Sequence, residues 1–374
     1  MSRAARLLAP WVGVAACILM AACSSDKPKP TPLMPVSAKI AGRQVWSAKL
    51  ESIQYPLAMQ VRDGTVLVAG TDGSIVSLES QSGREQWRAQ VGTRLSAGIG
   101  FAGRFAAVVT VGNELVVMER GTRRWSVRLE SRTTTAPLVA GERVFVVGVD
   151  RAVHAFDALD GRRLWTYQRT GEALTLAQPA VLMPYKNTLV AGQGASLLGL
   201  DPTQGTLRWE VAVTSPRGTN EVERLNDLVG PALRMGDTVC ARAFQTAIGC
   251  VNLANSTLRW SRLAGGQQAI GGDSELLFGA DASDRITAWK TANGDLAWTN
   301  EKLLYRALSA PLSVGKTVVF GDVEGQVHFL DRQTGDVVLR LATDGSPVMA
   351  QPVLAGTTIL VATRNGGIYA FRPD

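Results

Sequence analysis

The stretch Gly64–Trp87 reads GTVLVAGTDGSIVSLESQSGREQW. The chain repeats its plan at Glu142–Trp165, ERVFVVGVDRAVHAFDALDGRRLW, and at Lys316–Leu339, KTVVFGDVEGQVHFLDRQTGDVVL. The three blocks align without a gap. Each holds an alternating apolar run, a turn, a second alternating run that ends in an acidic residue, and then Gly-x-x-x-Trp or its remnant. Alternation with period two puts one face of a strand in a core and the other toward water or a second layer. Asp72-Gly73 and Glu324-Gly325 supply the positive φ that a tight hairpin needs. Gly83, Gly161 and Gly335 open a further turn, and the Trp four residues on fills a large gap between neighbouring units.

The Trp strand recurs at Trp46, Trp87, Trp125, Trp165, Trp209, Trp260 and Trp298, and Leu339 takes the place in the last copy. The spacings are 41, 38, 40, 44, 51, 38 and 41. A period near forty with several strands per unit predicts an all-β fold, an eight-bladed β-propeller of four-stranded antiparallel blades. The count also predicts how the ring closes. The hairpin Pro352–Phe371 has no Trp strand after it, and the Trp strand Gly42–Leu50 has no hairpin before it. Together they make the eighth blade, and the N-terminal strand leaves no open seam.

A length of 374 residues suggests two or three domains, but the repeat argues for one. Thirty-eight Gly and 19% charged residues suit a turn-rich all-β chain. The formal charge is +7, near +5 (7 − 2) without Arg3 and Arg6, and it is spread over the repeats. No Lys/Arg run is interleaved with aromatics, which argues against nucleic-acid binding.

Residues 1–22 read as a targeting segment, with Arg3 and Arg6 before the apolar stretch Leu7–Ala22. Leu19-Met20-Ala21-Ala22-Cys23 resembles a bacterial lipobox, whose Cys is lipidated and becomes the mature N-terminus. The alternative is an ordinary signal peptide cut near Ala22. Residues 23–39 then form the lipidated Cys23 and a flexible Pro- and Lys-rich tether, and 40–374 the propeller. X-Pro steps at Pro137, Pro179, Pro231, Pro311 and Pro352 mark the start of innermost strands. Two places break the rhythm: Gly171–Gln178, GEALTLAQ, and the longer Thr214–Val229, TSPRGTNEVERLNDLV. Long connections on a rigid ring are where function tends to sit.

Chemistry-bearing residues are few. Cys240 and Cys250 flank one hairpin on adjacent strands, so they are either a disulfide or two free buried thiols. A disulfide closing this loop contributes about 2.8 kcal/mol as an upper figure. His154 and His328 share one repeat position with Val76 and Tyr369, which marks a packing or surface slot rather than a metal ligand. Asp157, Asp201 and Asp331 sit at one position before a turn and read as Asx-type turn residues. Nothing nominates a general acid, a base or a nucleophile.

The ending Leu-Asp-x-x-x-Gly-x-x-x-Trp, as in Leu200–Trp209, resembles the pyrroloquinoline-quinone enzyme repeat. That resemblance allows a quinone-dependent dehydrogenase, or another ligand-binding periplasmic propeller, as the alternative reading. Those dehydrogenases use a calcium site and, in many, adjacent Cys residues; this chain has no adjacent Cys pair. The whole chain resembles more closely the BamB family, lipoprotein subunits of the β-barrel assembly machinery. Pro216–Asp227, PRGTNEVERLND, looks like that family's Arg-Gly-(Ser/Thr)-x-Glu-(Ile/Val)-x-Arg-Leu-x-Asp run, and Gly171–Gln178 looks like its Leu-x-Leu-Arg loop. The resemblance implies a non-enzymatic scaffold without cofactor or metal. It implies a lipid anchor at Cys23 on the periplasmic face of the outer membrane, binding to the POTRA domains of the barrel-forming subunit, and contact with nascent outer-membrane proteins. Leu174 and Leu176 would be apolar anchors, and Arg224 and Asp227 polar contacts. Ala177 stands where the family has Arg, and Val229 where it often has a second Asp.

Overall fold

The computed structural model describes residues 28–55, 57–169, 174–215 and 219–373. The segment expected to be a signal peptide, residues 1–22, and Cys23 lie outside the described residues. The described strands form eight four-stranded antiparallel sheets. Blades 1 to 7 span 60–90, 95–128, 138–168, 182–212, 228–263, 271–300 and 312–342, each in simple up-and-down order. The first strand of every blade packs against the first strands of both neighbours, and blade 8 meets blade 1, so the sheets close into a ring.

Blade 8 is assembled from both chain ends. The strand Gly42–Lys49 pairs antiparallel with Gly367–Pro373, and Trp46 lies opposite Ala370. Trp46 is 9% exposed and packs with Leu78, Leu360 and Ile368 across the closure. The middle strands of the blades are buried along their length, as in Leu276–Ala280 and Thr317–Gly321. Each blade is covered on both faces by its neighbours, so apolar residues are wanted on both sides of these strands. Outermost strands such as Glu85–Gln90 keep the polar alternation of a half-exposed sheet.

The Gly-x-x-x-Trp signature joins neighbouring blades. Gly83 has φ +70° and Gly161 φ +77°, and a Cβ on either would lie 2.5 or 2.6 Å from the indole of Trp46 or Trp125. Both the left-handed backbone and the close approach therefore require glycine. Five of these indoles donate to backbone oxygens in that same turn region: Trp46 Nε1 to Ser80 O at 3.1 Å, Trp125 to Ala158 O at 2.9 Å, Trp165 to Pro202 O at 3.1 Å, Trp260 to Thr291 O at 2.9 Å and Trp298 to Arg332 O at 2.9 Å. Leu339 is the exception for a topological reason. It faces blade 8, whose last two strands are the two chain ends and share no turn. An apolar cavity of about 240 Å³ lies there, lined by Ile40, Phe329, Leu339, Ile359 and Phe371.

Innermost strands begin directly after Pro137, Pro311 and Pro352, at Leu138, Leu312 and Val353. Pro231 differs: it lies within Leu228–Met235, where the register is irregular between Val229 and Leu233, so its missing N–H breaks no regular pair. Cys240 and Cys250 are register partners in blade 5 and are joined as a disulfide, with Cα atoms 4.0 Å apart. The Asp157, Asp201 and Asp331 carboxylates accept backbone N–H groups two residues on.

Residues 31–39, read from composition as tether, run along blade 7. The Thr31 N–H donates to Leu304 O, and Lys39 N–H to Val338 O. Arg306 Nη1 holds Thr31 O at 2.9 Å and Arg340 Nη1 holds Met34 O at 3.0 Å. Behind them is a buried relay. Arg306 Nε and His328 Nε2 both meet Asp322 Oδ2, at 2.7 and 2.9 Å, and Arg340 Nε reaches His328 Nδ1 at 3.2 Å. An arginine can only donate, so His328 Nδ1 accepts and its Nε2–H donates to Asp322: the ring is neutral. Burial pushes the His328 and His154 imidazoles below the usual range.

Trp46→Ala should cost about 3–5 kcal/mol by equilibrium denaturation, since it empties the closing blade. The histidines set a pH dependence. Unfolded imidazoles take protons as pH falls below the ordinary value of 6.5 and the folded ones do not, so stability drops below that pH. The thermal midpoint should therefore fall between pH about 6.5 and 5, and His328→Gln should flatten the slope.

Candidate functional site

The two irregular connections meet on one face of the ring. The first links blades 3 and 4 and is described from Leu174 onward; the second links blades 4 and 5 and is described from Thr219. Within the second, Arg224 N–H reaches Asn220 O and Leu225 N–H reaches Val222 O, giving one helical turn. Asn220 Oδ1 accepts from the Glu223 amide, and Glu223 accepts from the Thr219 amide at 2.8 Å, a side-chain cap on that turn. The Thr219 amide, followed by its hydroxyl, holds the Glu223 carboxyl below its usual range.

Asp227 fastens the loops together. Its Oδ2 accepts the Leu176 N–H at 2.7 Å, and its Oδ1 lies 3.6 Å from Arg151 Nη2. Arg151 Nη2 also donates to Leu174 O at 3.1 Å, and Thr175 Oγ1 donates to Val149 O at 2.9 Å. With only 15% and 16% of their side chains exposed, Arg151 and Asp227 form a largely desolvated pair that is stronger than a surface one. Four of the residues that fix the first loop therefore lie outside it: Val149 and Arg151 in a turn of blade 3, Gln193 in blade 4, and Asp227 in the second loop. Gln193 Nε2 steadies Arg151 O at 2.6 Å.

The site residues expected from the sequence separate by position. Leu174 is 37% exposed, whereas Leu176 is half-buried and packs against Val229, Ala269, Ala310 and Phe244. Arg224 is exposed on the helical turn beside Val222, which is 73% exposed. Asp227 points inward, as a strut between loops. Arg151 was not legible as a site residue, though a signal existed. It holds φ +65° at the turn position that Gly73 and Gly325 fill in other copies. A bulky side chain in that conformation indicates a specific use.

Beneath the loops, Thr134, Arg151, Thr175, Gln193 and Asp227 line a cleft of about 40 Å³. Small-molecule sites run to roughly 300–1,000 Å³, so what this region can offer is its outer surface. Among the described residues no group of three or more His, Cys, Asp or Glu side chains could hold a metal ion. His154 bonds Thr166 and His328 bonds Asp322 and Arg340, inside the blades.

The family model of outer membrane protein assembly factor BamB matches residues 36–93 and 71–300. The BamB of Burkholderia pseudomallei is 34% identical over 98% of this chain and 98% of its own length. The chain belongs to the BamB family of outer membrane protein assembly factors. The crystal structure of BamB from Moraxella catarrhalis shares the fold, with a TM-score of 0.80 at 19% identity, covering 89% of this chain and 100% of that one. Quinohemoprotein alcohol dehydrogenase from Comamonas testosteroni shares it more loosely, with a TM-score of 0.67 at 13% identity over 88% of this chain and 76% of its own. A likeness at that identity extends to the architecture alone.

Asp227→Ala should release the first loop. Hydrogen exchange at the Leu176 amide should accelerate strongly while amides within the blades keep their protection. An unchanged Leu176 amide would show that Asp227 does not fasten the loops.

Proposed function

We propose that this chain is a non-catalytic scaffold lipoprotein of the outer-membrane protein assembly machinery. Acyl chains on Cys23 hold it at the periplasmic face of the outer membrane. One chain binds a membrane only marginally, at about 0.8 kcal/mol per buried CH₂, so a stable anchor takes more than one. The face carrying Leu174, Leu176, Arg224 and Asp227 binds the POTRA domains of the barrel-forming subunit. Holding that subunit assists insertion of β-barrel proteins, and nascent outer-membrane chains can meet the exposed edges of the outermost strands by β-augmentation.

The observation that supports this reading is the fastening of two irregular connections by Asp227, with Leu174 and Val222 left exposed on a rigid ring. A surface already held in its bound shape loses little entropy on docking. The four residues then have distinct parts. Leu174 is the apolar anchor, Arg224 an exposed polar contact, Leu176 sets the loop against the ring, and Asp227 holds the pose. Family membership and the 40 Å³ cleft under the loops favour this scaffold over a quinone-dependent dehydrogenase.

Leu174→Asp should abolish co-purification with the barrel-forming subunit at an unchanged thermal midpoint. Capture that survives the substitution would place the interface elsewhere. Purified protein given pyrroloquinoline quinone and calcium should show neither stoichiometric binding nor dye reduction; turnover would restore the dehydrogenase reading.

A further inference from the structure

The segment before the propeller is held on a defined side of it. Thr31, Leu33 and Val36 are half-buried while their neighbours are exposed, so an extended chain lies with one side against blade 7. Leu33 packs on the apolar cluster of Leu303, Leu308 and Phe320. Arg340 clasps Met34 O, and Arg306, whose side chain is 2% exposed, clasps Thr31 O. Asp322 and His328 lock these two cations to each other inside the blade. A buried arginine that spends a donor on one carbonyl of a surface segment specifies where that segment lies.

Topology says which side this is. Arg306 O accepts from Val323 in the turn between the second and third strands of blade 7, and Tyr305 N–H donates to Ser283 in the equivalent turn of blade 6. The first candidate loop rests on the equivalent turn of blade 3, through Val149 and Arg151. In up-and-down blades these turns share one face of the ring. The anchored end therefore leaves the ring on the face that carries the candidate partner loops, about half a turn round from them.

We propose that residues 31–39 are a strap that turns this loop-bearing face, at blades 6 and 7, toward the lipid surface. The proposal rests on the reading of Cys23 as the lipidated residue. Thr31 lies eight Cα–Cα steps from Cys23, a reach of at most about 29 Å. Residues 31–39 cross the height of blade 7 in the same number of steps, so the tether could regain the opposite face only by running fully extended back along the strap, whereas it already emerges at the loop-bearing face. The barrel-assembly partner would then be held between the ring and the membrane.

The test uses the full lipidated chain on vesicles of phosphatidylethanolamine and phosphatidylglycerol carrying a nitroxide headgroup lipid. A fluorophore is placed at Ala282→Cys, on the loop-bearing face of blade 6, or at Lys316→Cys, on the opposite face of blade 7. Both positions are exposed. The Ala282 probe should be quenched several-fold more than the Lys316 probe. Loosening the strap with Arg340→Gln and Leu33→Ser should abolish that difference while flotation with the vesicles persists. Equal quenching in the unmodified strap, the reverse order, or a difference that survives loosening would each overturn the placement. A chain that does not float, with Cys23→Ser as the reference, would remove the anchor reading and the proposal with it.

Discussion

An indole pressed against a left-handed turn of the next blade is the contact on which this ring depends. In six blades the turn residue is a glycine whose Cβ would fall within 3 Å of the ring atoms, and in blade 5 Ser256 takes the same left-handed backbone, at φ +55°. The indole in turn has a backbone carbonyl waiting for its N–H, so a large side chain is buried without stranding a polar atom. Repeated round the ring, the same contact fixes the distance and angle between successive blades. It also explains its own exception. Leu339 has no indole because the blade it faces has no turn to receive one, and there the N-terminal strand makes the closure instead.

A ring held this way frees the connections from structural duty. The two that depart from the repeat are kept in place by a short set of polar contacts centred on Asp227 and Arg151. These contacts link blade 3, the first loop and the second loop. Removing water from that pair raises the cost of breaking it, because either partner alone would be a poorly solvated charge. The exposed part of the surface is then small: Leu174, Val222 and the charged residues of the helical turn. Such a surface suits recognition of another protein, and the cleft beneath it is too small for a cofactor.

The same device recurs on blade 7 with a different client. Buried Arg306, Asp322 and His328 and half-buried Arg340 form a row whose two ends hold a segment of the chain's own N-terminal region. A buried ionic row is a poor source of net stability compared with an apolar core of the same volume. What it supplies is position, since only one placement of the segment satisfies both guanidinium groups. The neutral state of His328 follows from that geometry, with Arg340 donating to one ring nitrogen and the other donating to Asp322.

The sequence determined the architecture because every blade restates the same local instruction: period-two burial, a glycine turn, then a tryptophan. The blade count, the order of strands and the closure by the N-terminal strand were all legible from that repetition. The sequence also marked the two candidate loops, as places where the period fails. What it could not convey were the partners of single side chains that meet across blades. Asp227, expected as a polar contact, also accepts the Leu176 amide and pairs with Arg151, a residue the sequence did not single out. Composition described residues 31–39 as tether, and the relay of Arg306, Asp322, His328 and Arg340 places them along blade 7. Contacts of this kind join residues far apart in the chain, with no local pattern to announce them, so only the closed ring could decide them.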